Sequence, residues 1–198
     1  GLLQPLAGGE KSGPVKRLLA TALARRGQPQ SALETLLQVA EEEGIRSIRE
    51  PLEALVATGQ GLARAHLILA DIHLEEGRAE EAVESLRRAH EKAPGEAILL
   101  APKVVRVLES HPASPAAHLL LAGLLAPGGE RERTIVILRH LTRVAPASAG
   151  EALARLETLL KEDPGSPRAR IGILEACLEL KQHPQALEQV AAIASSHP

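Results

Sequence analysis

The chain has 198 residues, a formal charge of −2, and 44% hydrophobic and 24% charged residues, a balance that excludes wholesale disorder. A charge this close to zero also excludes a strongly basic nucleic-acid footprint over the whole chain. Phe, Tyr, Trp, Met and Asn are all absent, which removes the aromatic platforms on which single-stranded bases usually stack. The one cysteine, Cys177, excludes an internal disulfide framework and a cysteine-based zinc cluster. No apolar run approaches the roughly 18 residues of a membrane span; Leu119-Leu120-Leu121-Ala122 is among the longest. Residues 1–12 lack the charged start and long apolar stretch of a signal peptide. A chain that starts at Gly1 and has no Met is expected to be an excised segment of a longer protein, located in the cytoplasm.

A step of 52 residues superposes the chain on itself. Pro94, Pro146 and Pro198 keep that spacing, as do Pro112 and Pro164, and Ser114 and Ser166. Ala65, His66, Leu67, Leu69 and Ala70 recur as Ala117, His118, Leu119, Leu121 and Ala122. In chain order the reading starts with an N-terminal tail over 1–12. A loose copy follows at 13–44, split into two helical stretches at Gly27-Gln28-Pro29. A spacer over 45–62 is expected to begin its helix near Pro51, since proline is tolerated in a first turn. The second copy, 63–96, splits at Gly77-Arg78; Leu67, Ala70 and Leu74 mark one helical face, and Ala82, Val83, Leu86 and Ala89 another. A spacer over 97–114 is expected to begin its helix at Pro102 and carries Val104, Val107 and Leu108 on one face. The third copy, 115–148, splits at Gly128-Gly129, and the spacer 149–166 carries Leu153, Leu156, Leu159 and Leu160. The last copy, 167–198, splits at His183-Pro184. Ser12, Ser114 and Ser166 precede Pro14, Pro115 and Pro167 as helix caps. With Ala, Leu and Glu abundant and no strand alternation, the periodicity predicts an all-α chain of about eleven helices, with pairs and single spacers alternating.

Eight histidines invite a metal reading. His66 and His73 share a helix face, but no HExxH or HxxH pairs ligands at short range, and the repeat explains the positions as packing sites. Cys177 occupies a repeat position too, so a core thiol is expected rather than a nucleophile. Gly8-Gly9 and Gly128-Gly129 lie outside any phosphate-loop pattern. Glu41-Glu42-Glu43 reads as a solvated helix end. No catalytic constellation, metal site or cofactor site is expected.

The paired copies resemble tetratricopeptide repeats (TPR), helix–turn–helix units that stack into a solenoid. Residues 63–96 carry the resemblance best: Leu69 and Ala70 at the leucine-small pair, Gly77 at the turn, Ala82 and Ala89 at the small crossing positions, Pro94 at the close. The third copy keeps Leu121, Ala122, Gly129 and Pro146 but has Thr134 and Leu141 at the crossings. Where the family usually has aromatic residues this chain has His66, His118, His73 and Cys177, with Leu36, Leu86, Leu138 and Val190 in place of Phe. The resemblance implies a right-handed solenoid over 13–198 and a non-catalytic scaffold that binds a peptide or helix of a partner protein in a concave groove. It places Arg17, Thr21, Arg64, Leu67, Asp71, Leu74 and Glu75 in the lining, followed by Leu119, Arg168, Ile171, Glu175 and Leu178. The family's chaperone-tail clamp needs Asn, which this chain lacks. Two alternatives stay open: an engineered or selected aromatic-free scaffold without a native ligand, and self-association through exposed solenoid ends.

Overall fold

The computed structural model describes residues 12–59 and 62–196. The expected N-terminal tail, all but Ser12, lies outside these residues, as does the closing Pro198. The described residues form eleven α-helices joined by short turns and 3-10 segments, and no strand is present among them. The chain divides into two compact units, Gly1–Glu96 and Ala97–Pro198.

The first unit holds α1 (Ser12–Arg25), α2 (Pro29–Glu43), α3 (Arg49–Ala57), α4 (Ala63–Glu75) and α5 (Ala79–Lys92). Its core draws Ala20 and Ala24 from α1, Leu33, Leu36 and Val39 from α2, Leu52 and Leu55 from α3, and Leu69 and Ile72 from α4. Alpha-helical spacing sets these on single stripes, and burying each Leu or Val contributes roughly 1.5–3 kcal/mol. On α5 the same division is plain: Ala82, Val83, Leu86 and Ala89 are buried, while Arg87, Arg88 and Glu91 are exposed.

The second unit holds α6 (Ala97–Ser110), α7 (Pro115–Leu125), α8 (Arg131–Val144), α9 (Ala149–Glu162), α10 (Pro167–Glu179) and α11 (His183–Ser196). Leu138 and Leu141 of α8, Leu156 of α9, and Ile173 and Cys177 of α10 fill its core, each at most 1% exposed. Ser114 and Ser166 cap α7 and α10 by accepting from the Ala117 and Ala169 backbone N–H groups at 3.3 Å.

Three local expectations change. Pro102 does not begin α6 but sits inside it. Its missing N–H deprives the Ile98 carbonyl, one turn back, of a helical partner, and Ile98 is 82% exposed. His183-Pro184 is not a breaker but opens α11; the reversal lies at Leu180–Gln182, with Lys181 at φ 59. Val190, aligned with the buried Leu36, Leu86 and Leu138, is 47% exposed and does not replace a core Phe.

Candidate interaction surfaces

In the second unit, α8 and α10, two apart in sequence, lie side by side. Arg139 of α8 makes a two-pronged ion pair with Glu175 of α10, at 2.8 and 2.9 Å, and Arg143 reaches the same carboxylate at 2.5 Å. In the first turn of each helix, Arg168 pairs with Glu132. Glu132, Val136, Arg139 and Arg143 fall on one stripe of α8; Arg168, Ile171, Glu175 and Leu178 fall on one stripe of α10. The hydrogen bonds from Arg139 and, next to it, Arg143 hold the Glu175 carboxyl below the usual carboxylate range. Gly172 permits the close approach: a Cβ there would stand 2.9 Å from Arg139 Cγ and 3.1 Å from the Leu156 methyls.

This face is not wholly polar. Val136 is 55% and Leu178 51% exposed. Beside Val136, a cleft of about 360 Å³ is lined by Leu125, Glu132, Arg133, Val136, Ile137 and Arg168. A ladder of charge with apolar flanks can seat a polypeptide whose side chains alternate in character.

Of the residues expected in a lining, Arg168, Ile171, Glu175 and Leu178 share this surface, with α8 as their neighbour. Leu119 is half-buried on α7, and its carbonyl accepts from Arg155 of α9 at 2.6 Å. In the first unit, Arg17 of α1 pairs with Glu43 of α2 at 2.5 Å, and Thr21 donates to the Arg17 carbonyl at 3.0 Å. On α4, Leu67, Asp71 and Leu74 are half-buried and Arg64 is exposed; Glu75 pairs with Arg46 at 3.4 Å. Helix α3 packs against both α1 and α4. The sequence reasoning missed the α8 residues Glu132, Arg139 and Arg143. Their signal was present: the pairs Glu132/Arg168 and Arg139/Glu175 both lie 36 residues apart.

The histidines in aromatic positions are buried: His66 and His118 at 3% and His73 at 6% exposed. Burial, helped by the Arg88 and Lys92 cations, pushes the pKa of His66 down. Burial likewise lowers that of His118, against the opposing hydrogen bond of its Nδ1 to the Ser114 carbonyl at 2.8 Å. Cys177 is fully buried, and loss of solvent pushes its thiol up, away from the reactive thiolate. Among the described residues, no three His, Cys, Asp or Glu side chains converge as a metal site, and no helix is long and apolar enough to cross a membrane.

Two family models described as "Tetratricopeptide repeat" match the sequence, one over residues 17–97 and one over 148–198. No curated protein matches the sequence. Among solved structures, similarity is found to YrrB, described as a TPR protein with an unusual peptide-binding site, at 14% identity and TM-score 0.42 over 95% of this chain and 97% of that one. A second is MamA 41-end from Desulfovibrio magneticus RS-1, at 18% identity and TM-score 0.34 over 95% and 96%. A third is the TPR2AB domain of yeast Sti1 in its pHSP90 complex, at 14% identity and TM-score 0.29 over 95% and 92%.

Proposed function

The chain belongs to the tetratricopeptide-repeat family, and from that premise we propose that it is a non-catalytic adaptor whose second unit binds a segment of a partner protein along α8 and α10. The observation that carries this is the Glu132–Arg168 and Arg139–Glu175 ladder, flanked by the exposed apolar groups Val136 and Leu178. Exposed aliphatic groups beside fixed charges give a partner apolar burial and orientation together. The helix order supports counting α8 and α10 as equivalent. Helix starts at 63, 79, 97, 115, 131, 149, 167 and 183 recur every 16 to 18 residues, so two helices span about one tetratricopeptide unit. On this reading α6 and α9 are ordinary members of the array, and the step of 52 residues is three helices.

A non-catalytic role is favoured by the surroundings of the cluster in which Ser85, His73 and Glu53 meet. Ser85 Oγ lies 3.4 Å from His73 Nδ1, and His73 Nε2 lies 3.6 Å from Glu53. Yet Ser85 stands in the body of α5, where backbone N–H groups are consumed by the helix and none is left to stabilise an oxyanion.

The test is crosslinking from a photoreactive residue at Val136 in the source cell, beside a Val136→Glu/Leu178→Glu variant of unchanged helicity. A partner crosslinked at Val136 and lost from the variant supports the adaptor reading; equal capture by both removes it. A second reading, self-association, rests on α11, where Leu187 is 68% exposed beside the half-exposed Val190. Light scattering across a concentration range tests it, and a constant monomer mass removes it.

A further inference from the structure

The first unit contains a second feature, independent of the α8–α10 surface. A cleft of about 480 Å³ opens between α3, α4 and α5, with Glu53, Val56 and Ala57 on one wall and His66, Leu69 and His73 on its floor. The opposite wall, from α5 and the turn before it, carries Arg78, Glu81, Glu84 and Arg88. We propose that this cleft binds one basic side chain, lysine or arginine, of a partner polypeptide, with its charged head between His73 Nε2 and the Glu53 carboxylate.

Three observations converge on that ligand. First, His73 is 6% exposed and its Nε2 has no protein hydrogen-bond partner, although it borders the cleft. The contact of Nδ1 with Ser85 Oγ at 3.4 Å fits either ring tautomer; in the one that carries the proton on Nδ1, the Nε2 lone pair faces Glu53 Oε1 at 3.6 Å. Two acceptors then confront each other, a juxtaposition that a donor placed between them relieves. Second, the charge of the lining is negative. Glu53, Glu80, Glu81 and Glu84 outnumber Arg78 and Arg88, and both arginines are engaged: Arg78 with Glu81 at 3.1 Å and Arg88 with Glu84 at 2.7 Å. Glu84 is held by Arg87 and Arg88, which lower its pKa to about 2. Glu53 stands 4.0 Å from Arg78 Nη1. An anionic ligand would meet this carboxylate, and an apolar one would leave Nε2 unsatisfied. Third, Val56, Ala57 and Leu69 supply aliphatic lining of the kind along which a lysine or arginine stem packs while its head reaches a polar partner.

The experiment titrates the full chain with capped pentapeptides Ala-Ala-X-Ala-Ala, where X is Lys, Arg, norleucine or Glu, and follows the imidazole 15N shifts of His73. The Lys and Arg peptides are expected to shift Nε2 saturably and to hold the tautomer protonated at Nδ1. Glu53→Gln, a near-isosteric change at a half-exposed position, is expected to weaken their binding about tenfold, the worth of one charge-assisted hydrogen bond. Any of four results would overturn the proposal: no saturable shift, norleucine binding as well as lysine, the Glu peptide binding better, or Glu53→Gln leaving the affinity unchanged. Because the adaptor surface lies in the other unit, Val136→Glu/Leu178→Glu should leave the pentapeptide titration unaltered.

Discussion

Lys181 is a non-glycine residue held in the left-handed region, and the repeat supplies its own control. In the turns that close α1 and α4 the equivalent residues are Gly27 at φ 73 and Gly77 at φ 72; Lys181 has φ 59. All three turns make the same pair of closing bonds. Arg78 N–H donates to the His73 carbonyl and Gly77 N–H to that of Leu74; Gln182 N–H and Lys181 N–H do likewise to Cys177 and Leu178. A side chain in this conformation costs about 1–2 kcal/mol, and replacing it by glycine returns roughly 0.5–1 kcal/mol to the unfolded chain as entropy. Lys181→Gly should therefore stabilise the protein by a net ~0.5–1 kcal/mol. Gly77→Lys should destabilise it by a similar amount, because a Cβ at Gly77 meets nothing within 4 Å and the strain is in the backbone alone. With no aromatic residue in the chain, the assay is far-ultraviolet circular dichroism in urea and on heating, where a change of this size moves Tm by ~1–4 °C for a protein of this length. A neutral or destabilising Lys181→Gly, alongside a destabilising Gly77→Lys, would refute the equivalence of the two turns.

Gly172→Ala should lose about 1–2 kcal/mol in urea denaturation despite alanine's better helix propensity. The new methyl would press on Leu156, fully buried, and on Arg139 Cγ, anchored by its ion pair to Glu175; a more stable variant would show that α8 and α10 can separate at no cost. His66 and His118 have folded pKa values below 6.5, so the unfolded chain binds protons first. Their contribution is complete above about pH 6.5 and is lost as pH falls toward the folded values; His118→Leu should flatten part of that slope in a melting series against pH. Cys177 should resist a thiol reagent in the native protein and react on unfolding, since it is buried with a raised pKa; modification of the native state at the rate of a free thiol would contradict its placement.

The helices were legible because each carries its own local signals. Gly27, Gly77 and Gly129 mark reversals, Ser114 and Ser166 mark starts, and the Leu stripes mark buried faces. Lys181 escaped because nothing about a lysine announces a left-handed turn, and the nearby Pro184 drew the break onto what is an N-terminal turn of α11. The lateral neighbours were harder to read for a different reason. Sliding the chain by 52 residues aligns α7 with α10, whereas the hydrogen bonds from Arg139 to Glu175, from Arg168 to Glu132 and from Arg155 to the Leu119 carbonyl all span 36. Resemblance between segments reports shared packing requirements; adjacency is set by which ridges interdigitate, and opposite charges at a common separation were the better guide.

His73, Leu125 and Cys177 are equivalent in the repeat, and only the first brings nitrogen to the position. If packing alone governed the site, an apolar side chain would serve there as the buried Cys177 does, without a buried nitrogen that lacks a protein partner. Leaving such an atom unsatisfied costs about 1–3 kcal/mol. His73→Leu removes that cost at similar volume, at the expense of the contact to Ser85 at 3.4 Å, a weak one at that length. The variant should therefore be at least as stable as the parent, with Tm unchanged or higher, while binding of the lysine pentapeptide is lost. That combination is the signature of a residue kept for binding rather than for folding. A His73→Leu protein that melts well below the parent would instead make the imidazole a packed and satisfied member of the core. The cleft above it would then be no more than the gap left where α3 and α5 fail to meet.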